Sequence, residues 1–295
     1  MEKATRFIHP PSDFSLKLVR KIKVPFIRKW FLKYFFKKNG VFLQDIITYD
    51  NGKFFLYKVD NIFIPDESLY WPVSFETKLK KCKNESLFAY QPHNGDTIID
   101  IGAGLGEETI LFSKLVGDKG RVIAIEANPS VFKILKKVIE LNHLKNVYAF
   151  NLAIYEKDAM VSLVDAYASY DAVFIKKDVY DKENSVKGVR FDTFLKEQQI
   201  DRIDFLKVNI EGGEKFVIDT ISTHQLNKIP HIAIACHDFR YRKERNDFFR
   251  TKDYVTQQLL KNSFDVSQSR QTGIDYIDDW VYAKKNSREH RVYRE

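Results

Sequence analysis

The chain has 295 residues, 44% hydrophobic and 30% charged, and its 24 Phe, 15 Tyr and 3 Trp supply ample apolar surface for a core. The low numbers of Gly (12) and Pro (8) exclude collagen-like and low-complexity proteins. Two cysteines are too few for a disulfide framework or a Cys-rich zinc site. No apolar run approaches the roughly 18 residues of a membrane-spanning helix, and the first residues lack the apolar stretch of a signal peptide, so a cytoplasmic location is predicted.

The net charge of +8 is concentrated near the N-terminus. Residues 1–40 hold eleven Lys or Arg and two acids, which gives +9, whereas the rest of the chain carries −1. Within this segment, the run FIRKWFLKYFFKK predicts a helix with two different faces. Lysines occupy one face (Lys29, Lys33, Lys37), and apolar side chains occupy the other (Ile27, Trp30, Phe31, Tyr34, Phe35).

This helix has two main interpretations. A basic amphipathic helix can lie on an anionic membrane, which would make residues 17–38 a peripheral membrane contact. Alternatively, the helix packs its aromatic face on its own domain and leaves the lysines in water. A nucleic-acid-binding arm is a weaker interpretation because no further basic patch follows downstream, and nucleic acid is not an expected partner.

Residues 41–90 predict a small β structure followed by a helix. Two β-prone stretches, 41–49 and 53–64, flank Asn51-Gly52, and Asn-Gly between such runs is a strong hairpin signal. Residues 68–90 are helix-like and end at Gln91-Pro92.

From residue 97 onward, predicted strands and helices alternate. The strands are TIIDIG, RVIAIEA, NVYAFNLAI, DFLKVNI and HIAIAC, with a β insertion at MVSLVDAY and AVFIKK and a closing antiparallel pair, FDVSQSR and DWVYAKK. Helices are predicted at 106–116, 128–142, 192–200, 213–222 and 250–262. This alternation indicates an α/β fold with a largely parallel sheet and helices on both faces.

A glycine-rich turn follows the first of these strands. The stretch DTIIDIGAGLGEET contains Gly102, Gly104 and Gly106 between a buried strand and a helix, so a ligand can approach the backbone. Its GxGxG spacing differs from the GxGxxG of dinucleotide-binding proteins. Asp100, two residues before the first glycine, disfavours a pyrophosphate and favours a cationic ligand that carries an ammonium and a sulfonium.

Two further polar residues follow the next two strands. Glu126 ends the second strand, where a carboxylate can accept both hydroxyls of a ribose. Asn151 ends the third strand and is either an adenine ligand or an ordinary turn residue.

With these residues placed, the sequence resembles the FkbM family of S-adenosylmethionine-dependent methyltransferases over about residues 89–222. The resemblance rests on YQPHNGDTIIDIGAGLG, VIAIEANPS, NLA, VRFDTFL and above all FLKVNIEGGE at 205–214. It implies a Rossmann-like class I fold with a mostly parallel seven-stranded sheet, S-adenosyl-L-methionine as cofactor, and O-methylation of a sugar, glycan or glycolipid-type acceptor. The cofactor-binding residues it indicates are Asp100, Gly102, Ala103, Gly104, Gly106, Glu126, Ala127, Asn128, Asn151 and Asn209.

The resemblance also divides the chain into predicted parts. These are a basic amphipathic segment (1–40), a β-hairpin and helix extension (41–90), a methyltransferase domain (91–286) and a polar tail (287–295). Two positions depart from the family pattern. The loop reads GAGLG where the family has a polar side chain, and Asn209 replaces the usual Asp, although an Asn can still accept a hydrogen bond.

The catalytic candidates follow the fourth and fifth main strands. His237 is either the predicted general base, because an ordinary imidazole titrates near neutral pH, or a loop histidine bonded to the backbone. Glu211 either takes the proton itself, orients His237 or caps the next helix, and Asn209 completes the candidate set. The spacing of these residues matches no metal motif, and no metal is predicted. The remaining functional alternatives are a nucleic-acid methyltransferase and a methyltransferase-like module that docks on a membrane or partner.

Overall fold

The computed structural model describes residues 25–38, 41–50, 53–66, 75–165, 172–174, 185–269 and 272–286. The chain divides into two units, residues 1–78 and residues 79–295. The predicted Asn51-Gly52 turn, the polar tail and the start of the helix predicted at 68–90 lie outside the described residues. The four-part division at residues 40, 90 and 286 stays a prediction.

Within its described residues, the first unit contains a helix that begins at Pro25 and a three-stranded antiparallel sheet in the order β1-β2-β3. Its elements are α1 (Pro25–Lys38), β1 (Asp45–Tyr49), β2 (Phe54–Val59) and β3 (Ile62–Asp66). The predicted β structure of this region is therefore confirmed. Helix α1 contributes Leu32 and Phe36 to a core that also contains Phe55, Tyr57 and Val59.

The orientation of α1 differs from one of its two interpretations, in which the aromatic face packs on its own domain. Leu32 and Phe36 are buried, whereas the aromatic face expected to pack, which includes Trp30, Phe31 and Tyr34, is exposed. Aromatic residues occur on nearly every side of this helix, so its sequence contains two apolar faces, one with Trp30 and Tyr34 and one with Leu32 and Phe36. Leu32 and Phe36, four residues apart, form the one that reaches the sheet.

The second unit is built on a seven-stranded sheet in the order β6-β5-β4-β11-β12-β14-β13. Strand β14 runs antiparallel to both of its neighbours, and the other strands share one direction. This arrangement confirms the predicted Rossmann-like class I fold. The strands are β4 (Thr97–Ile101), β5 (Arg121–Ile125), β6 (Val147–Phe150), β11 (Phe205–Val208), β12 (His231–Ala235), β13 (Phe264–Gln268) and β14 (Trp280–Lys285).

Helices connect these strands. They are α2 (Phe75–Asn84), α3 (Glu107–Val116), α4 (Pro129–Leu141), α5 (Phe191–Glu197), α6 (Glu214–Thr220), α7 (Thr223–Leu226), α8 (Asp238–Glu244), α9 (Lys252–Lys261) and α10 (Asp275–Asp278), with a 3-10 turn at Asp247–Phe249. The helix predicted to reach residue 90 ends at Asn84, because the Leu87 amide donates back to the Cys82 carbonyl and turns the chain. None of the described helices is both long and apolar enough to span a bilayer.

A second sheet, in the order β7-β10-β8-β9, forms the predicted β insertion. The single strand predicted through NVYAFNLAI is broken, because β6 ends at Phe150 and Asn151 turns the chain away. Asn151 Nδ2 donates to the carbonyls of Glu126 and Ala127, both at 2.9 Å, which holds the turn. The strands of this sheet are β7 (Ala153–Ile154), β8 (Ala159–Asp165), β9 (Ala172–Phe174) and β10 (Ser185–Val189).

Strands β4 and β11 end in close backbone contact at Gly102. This glycine has φ of +79°, and a Cβ added there would lie 1.9 Å from the carbonyl oxygen of Asn209. The position therefore excludes a side chain for both conformational and steric reasons.

We expect Gly102→Ala to lower the free energy of unfolding by more than about 3 kcal/mol, because the two strand ends must separate. Gly95→Ala is the matched control, since Gly95 has φ of +94° but no atom within 4 Å of an added Cβ. Gly95→Ala should lower the free energy of unfolding only by the cost of placing a side chain at positive φ, about 1–2 kcal/mol. Urea unfolding measures both values, and equal losses would contradict the steric argument.

Candidate functional site

The carboxyl ends of four parallel strands meet at one edge of the main sheet. Ile101 at the end of β4 pairs with Ile125 of β5 and with Val208 of β11, so the residues after these strands lie side by side. They border a cleft with about 690 Å³ of empty space, part of it open to solvent. Its lining comprises Ile101, Gly102, Gly104, Ile125, Glu126, Ala127, Val131, Leu152, Ala153, Ile154, Asn209, Ile210 and Glu211.

The glycine loop after β4 is fixed by its neighbours. The amides of Gly102 and Ala103 both donate to the Ile125 carbonyl, and the Gly104 amide donates to Glu126 Oε2. Gly102 and Gly104 line the cleft. Ala103 and Gly106 instead pack towards α4, where a Cβ on Gly106 would come within 2.8 Å of Leu135. The predicted loop residues thus divide into two that border the cleft and two that support it.

Glu126 is the carboxylate that the first two strands bring to the cleft. Its Oε1 accepts from the Asn128 amide at 2.8 Å and its Oε2 from the Gly104 amide at 2.9 Å. Burial raises the pKa of Glu126 even though these two N–H groups favour the charged form. Because each carboxylate oxygen can accept more than one hydrogen bond, both remain able to receive a ligand hydroxyl.

The residues around Glu126 have mainly supporting roles. Ala127 lines the cleft, whereas Asn128 is buried and caps α4 by accepting from the Ser130 and Val131 amides. Asn151, the predicted adenine ligand, uses Nδ2 to hold the turn after β6. These hydrogen bonds therefore support the interpretation of Asn151 as a turn residue.

Asp100 does not border the cleft, in contrast to the sequence expectation. It is fully buried, and its Oδ1 accepts from Lys207 Nζ at 2.8 Å while its Oδ2 accepts from the Thr109 hydroxyl at 3.0 Å. Lys207 also contacts Glu108 Oε2 at 3.2 Å and donates to the Gly102 carbonyl. Asp100 therefore balances an internal lysine and is not free to receive a cationic ligand.

Lys207 is the functional-site residue that sequence reasoning missed. Burial would lower its pKa, but the carboxylates of Asp100 and Glu108 outweigh this effect and raise it. The signal was present in the sequence as a lone lysine in the strand FLKV, all four residues of which are buried. A lysine at such a position requires an acidic partner.

His237 lies buried between two carboxylates. Its Nδ1 is 2.8 Å from Glu214 Oε1, and its Nε2 is 3.0 Å from Glu211 Oε1. Ionised carboxylates only accept hydrogen bonds, so both ring nitrogens must carry protons. Burial would lower the pKa of His237, but Glu214 and Glu211 raise it to about 10.

An imidazolium at neutral pH has no lone pair with which to take a proton. His237 therefore does not fit the general-base role predicted from the sequence, which assumed an ordinary imidazole. It acts instead as a fixed cation that holds Glu211 and Glu214 together.

Glu211 is the second carboxylate that borders the cleft. Its backbone has φ of +51°, an unusual conformation for a non-glycine residue, and its Oε2 accepts from Arg240 at 3.1 Å. Burial would raise the pKa of Glu211, but His237 and Arg240 lower it, so the side chain is ionised. Asn209 lines the same cleft, and the structure thus brings together Gly102, Gly104, Glu126, Ala127, Asn209 and Glu211.

The family described as "Methyltransferase FkbM domain" matches residues 100–266. The chain is similar to a probable cobalt-precorrin-6B C(15)-methyltransferase (decarboxylating) of Sulfurisphaera tokodaii, 31% identical over 112 residues, 38% of this chain and 56% of that protein. It is also similar to the ubiquinone/menaquinone biosynthesis C-methyltransferase UbiE of Klebsiella pneumoniae, 27% identical over 154 residues, 51% of this chain and 59% of that protein.

Among solved structures, the chain is similar to methyltransferase FkbM from Methylobacillus flagellatus KT. The identity is 16%, the TM-score is 0.45, and the match covers 67% of this chain and 45% of that chain. The chain thus spans less than two thirds of the length of these relatives.

We expect Lys207→Met to lower the free energy of unfolding by about 3–5 kcal/mol, because it leaves two carboxylates without their shared cation. Lys137→Met is the matched control, since Lys137 contacts Glu140 at 2.8 Å in a partly exposed pair, and it should cost less than about 1 kcal/mol. Urea titration of both variants tests the difference. If Lys207→Met lowered the free energy of unfolding as little as Lys137→Met does, the stabilising role of the buried ion pair would be contradicted.

We also expect the stability supplied by His237 to depend on pH. Its pKa is about 10 in the folded protein and about 6.5 in an unfolded chain, so its contribution is complete below pH 6.5 and disappears as the pH rises through 10. The difference in unfolding free energy between the wild type and His237→Gln should therefore shrink over this range, by on the order of a few kcal/mol. His224→Gln, at an exposed site, is the control. If the difference in unfolding free energy did not vary with pH, His237 would not be a cation that holds Glu211 and Glu214.

Proposed function

This chain belongs to the FkbM methyltransferase family, and we propose that it is an S-adenosylmethionine-dependent O-methyltransferase. The proposed acceptor is a hydroxyl of a sugar, glycan or glycolipid-type molecule. The observation that carries the proposal is Glu126, whose two oxygens are held by the Gly104 and Asn128 amides while its side chain lines the cleft beside the glycine loop.

The cleft fits the family's cofactor in its chemistry. Gly102 has no side chain, so its backbone is accessible from the cleft at this point. Glu126 and Asn209 offer hydrogen-bond acceptors. Val131 and Leu152 offer apolar surface for a purine. When bound, S-adenosylmethionine supplies a methyl group activated by a sulfonium, and the protein contributes binding, orientation and electrostatics.

In this proposal each cofactor-binding residue has a distinct task. Glu126 accepts hydrogen bonds from the ribose hydroxyls, and the main chain of Gly102 and Gly104 lies against the ligand. Asn209 accepts a hydrogen bond from the ammonium group through its amide oxygen. The formal charge that the family's usual Asp would bring to this strand end comes instead from Glu211, two residues further along the chain.

Glu211 is the proposed catalytic residue. Its ionised carboxylate borders the cleft, accepts the hydrogen bond of the acceptor hydroxyl and takes the proton as the oxygen loses electron density. His237 and Arg240 fix both of its oxygens and are positioning residues. The lowered pKa of Glu211 makes it a weak base, which suits a hydroxyl that becomes acidic only as its oxygen is alkylated.

The β insertion supports the proposed acceptor recognition. Ala153 and Ile154, which form β7, line the cleft and also pair through Ile154 with Val189 of β10. The insertion sheet thus reaches the cleft wall, where a sugar or glycan would meet it. Specificity among hydroxyl acceptors is accordingly expected to depend on the sheet formed by β7, β8, β9 and β10.

The proposal includes a cytoplasmic location with peripheral membrane contact through residues 17–38. Many sugar acceptors are lipid-linked, so an enzyme at a membrane surface would meet them there. The nucleic-acid alternative has less support, because residues 209–212 read Asn-Ile-Glu-Gly and lack the Pro-Pro-aromatic run suited to a flipped base.

Calorimetric titration with S-adenosylhomocysteine tests the cofactor site without an acceptor. We expect micromolar binding to the wild type and no binding of NADH. Glu126→Gln should weaken the affinity by about tenfold or more, because one acceptor oxygen becomes a donor. Glu140→Gln, at an exposed site on α4, is the matched control and should bind as the wild type does. Absence of binding to the wild type would refute the methyltransferase proposal.

A further inference from the structure

Helix α1 presents a row of exposed aromatic side chains. Phe26 is 73% exposed, Trp30 60%, Tyr34 59% and Phe31 42%. We call these four residues the aromatic edge. Single exposed aromatic residues are common, but four on one helix form a contiguous apolar surface of the kind that marks an interaction site.

The aromatic edge is held away from the core of its own unit. Successive residues of a helix are rotated by about 100°, so Trp30 and Tyr34 lie on the side opposite Leu32 and Phe36. Leu32 and Phe36 are buried against the small sheet and fix the rotation of the helix. The Trp30 ring stacks on Tyr34 at 5.9 Å between centroids and meets Phe31 edge-on at 5.1 Å. These contacts organise the edge as a single surface.

Positive charge accompanies this apolar surface. Lys33 lies between the aromatic edge and the buried side of the helix, and Lys37, one turn later, lies along the edge itself, between Phe26 and Trp30 in projection. Lys29 is paired with Asp45, and the half-buried Lys33 also lowers the pKa of that carboxyl, so Lys37 is the exposed charge of this row. Residues 1–40 together carry +9. The combination of aromatic rings with flanking lysines is typical of helices that lie in the plane of an anionic membrane surface.

We propose that the aromatic edge lies in the interface of a bilayer that contains anionic lipids, with Lys33 and Lys37 against the phosphate and carboxylate headgroups. Trp and Tyr favour this region because their rings are amphipathic. The proposal deepens the peripheral location proposed above by naming the surface and the lipid charge that it requires. A second copy of the chain would also cover aromatic rings, but it would not use the positive charge.

Co-sedimentation of the full chain with vesicles tests this proposal. We expect binding to vesicles of phosphatidylcholine with about a third phosphatidylserine, and at least tenfold weaker binding to phosphatidylcholine alone. The double variant Trp30→Ser/Tyr34→Ser should lose at least tenfold in partition onto the anionic vesicles. Tyr148→Ser/Tyr276→Ser removes two equally exposed aromatic side chains from the second unit and should bind as the wild type does.

Two further measurements separate the ring and charge contributions. Lys33→Gln/Lys37→Gln should weaken binding and reduce its dependence on salt, because screening acts on these charges. Trp30 fluorescence should shift to the blue on binding, and Trp30→Phe should keep the binding but lose the shift.

Three results would overturn the proposal. They are equal binding to neutral and anionic vesicles, full binding by Trp30→Ser/Tyr34→Ser, and a wild-type dimer in sedimentation velocity that this variant abolishes. None of these assays contains cofactor or acceptor. S-adenosylhomocysteine titration of the same variants therefore separates a failure of the membrane surface from a failure of the proposed methyl transfer.

Discussion

The buried ammonium of Lys207 is the interaction on which the rest of the site depends. It joins β11 to Asp100 of β4, to Glu108 of α3 and to the carbonyl of Gly102. A buried charge is tolerated only when its partners and hydrogen bonds are complete, and here the partners come from three elements that must be in register. This single cation therefore fixes the loop beside which a ligand would bind.

The same principle governs the other side of the cleft. His237 carries its positive charge between Glu211 and Glu214, much as Lys207 does between Asp100 and Glu108. Of these four carboxylates only Glu211 borders the cleft, where Glu126 is the second carboxylate. Both cleft carboxylates are held in place, Glu126 by backbone amides and Glu211 by His237 and Arg240, so their oxygens are preorganised to accept hydrogen bonds from a ligand.

The sequence predicted the main sheet and most of the cleft edge, because buried strands, glycine turns and strand-end acids are local patterns. Residues such as Gly102, Glu126 and Asn209 could be found in this way. The roles of Asp100 and His237 could not, because their charged partners Lys207, Glu211 and Glu214 are more than 20 residues away and become neighbours only through folding. The buried face of α1 could not be predicted for a different reason, since aromatic residues on several sides of the helix give two apolar patterns and only packing selects between them.

The break at Asn151 divides consecutive strands between two sheets that meet at the cleft. Strand β6 stays with the sheet edge that holds Glu126, whereas β7 begins the small sheet that reaches the same cleft from the other side. Only two residues, Ala153 and Ile154, form this bridging strand. Strand β9 lies at the far edge of the small sheet, separated from β7 by β10 and β8, so an insertion there lies away from the glycine loop and the buried lysine. The architecture thus allows the outer strand of the small sheet to vary while the residues that border the cleft keep their positions.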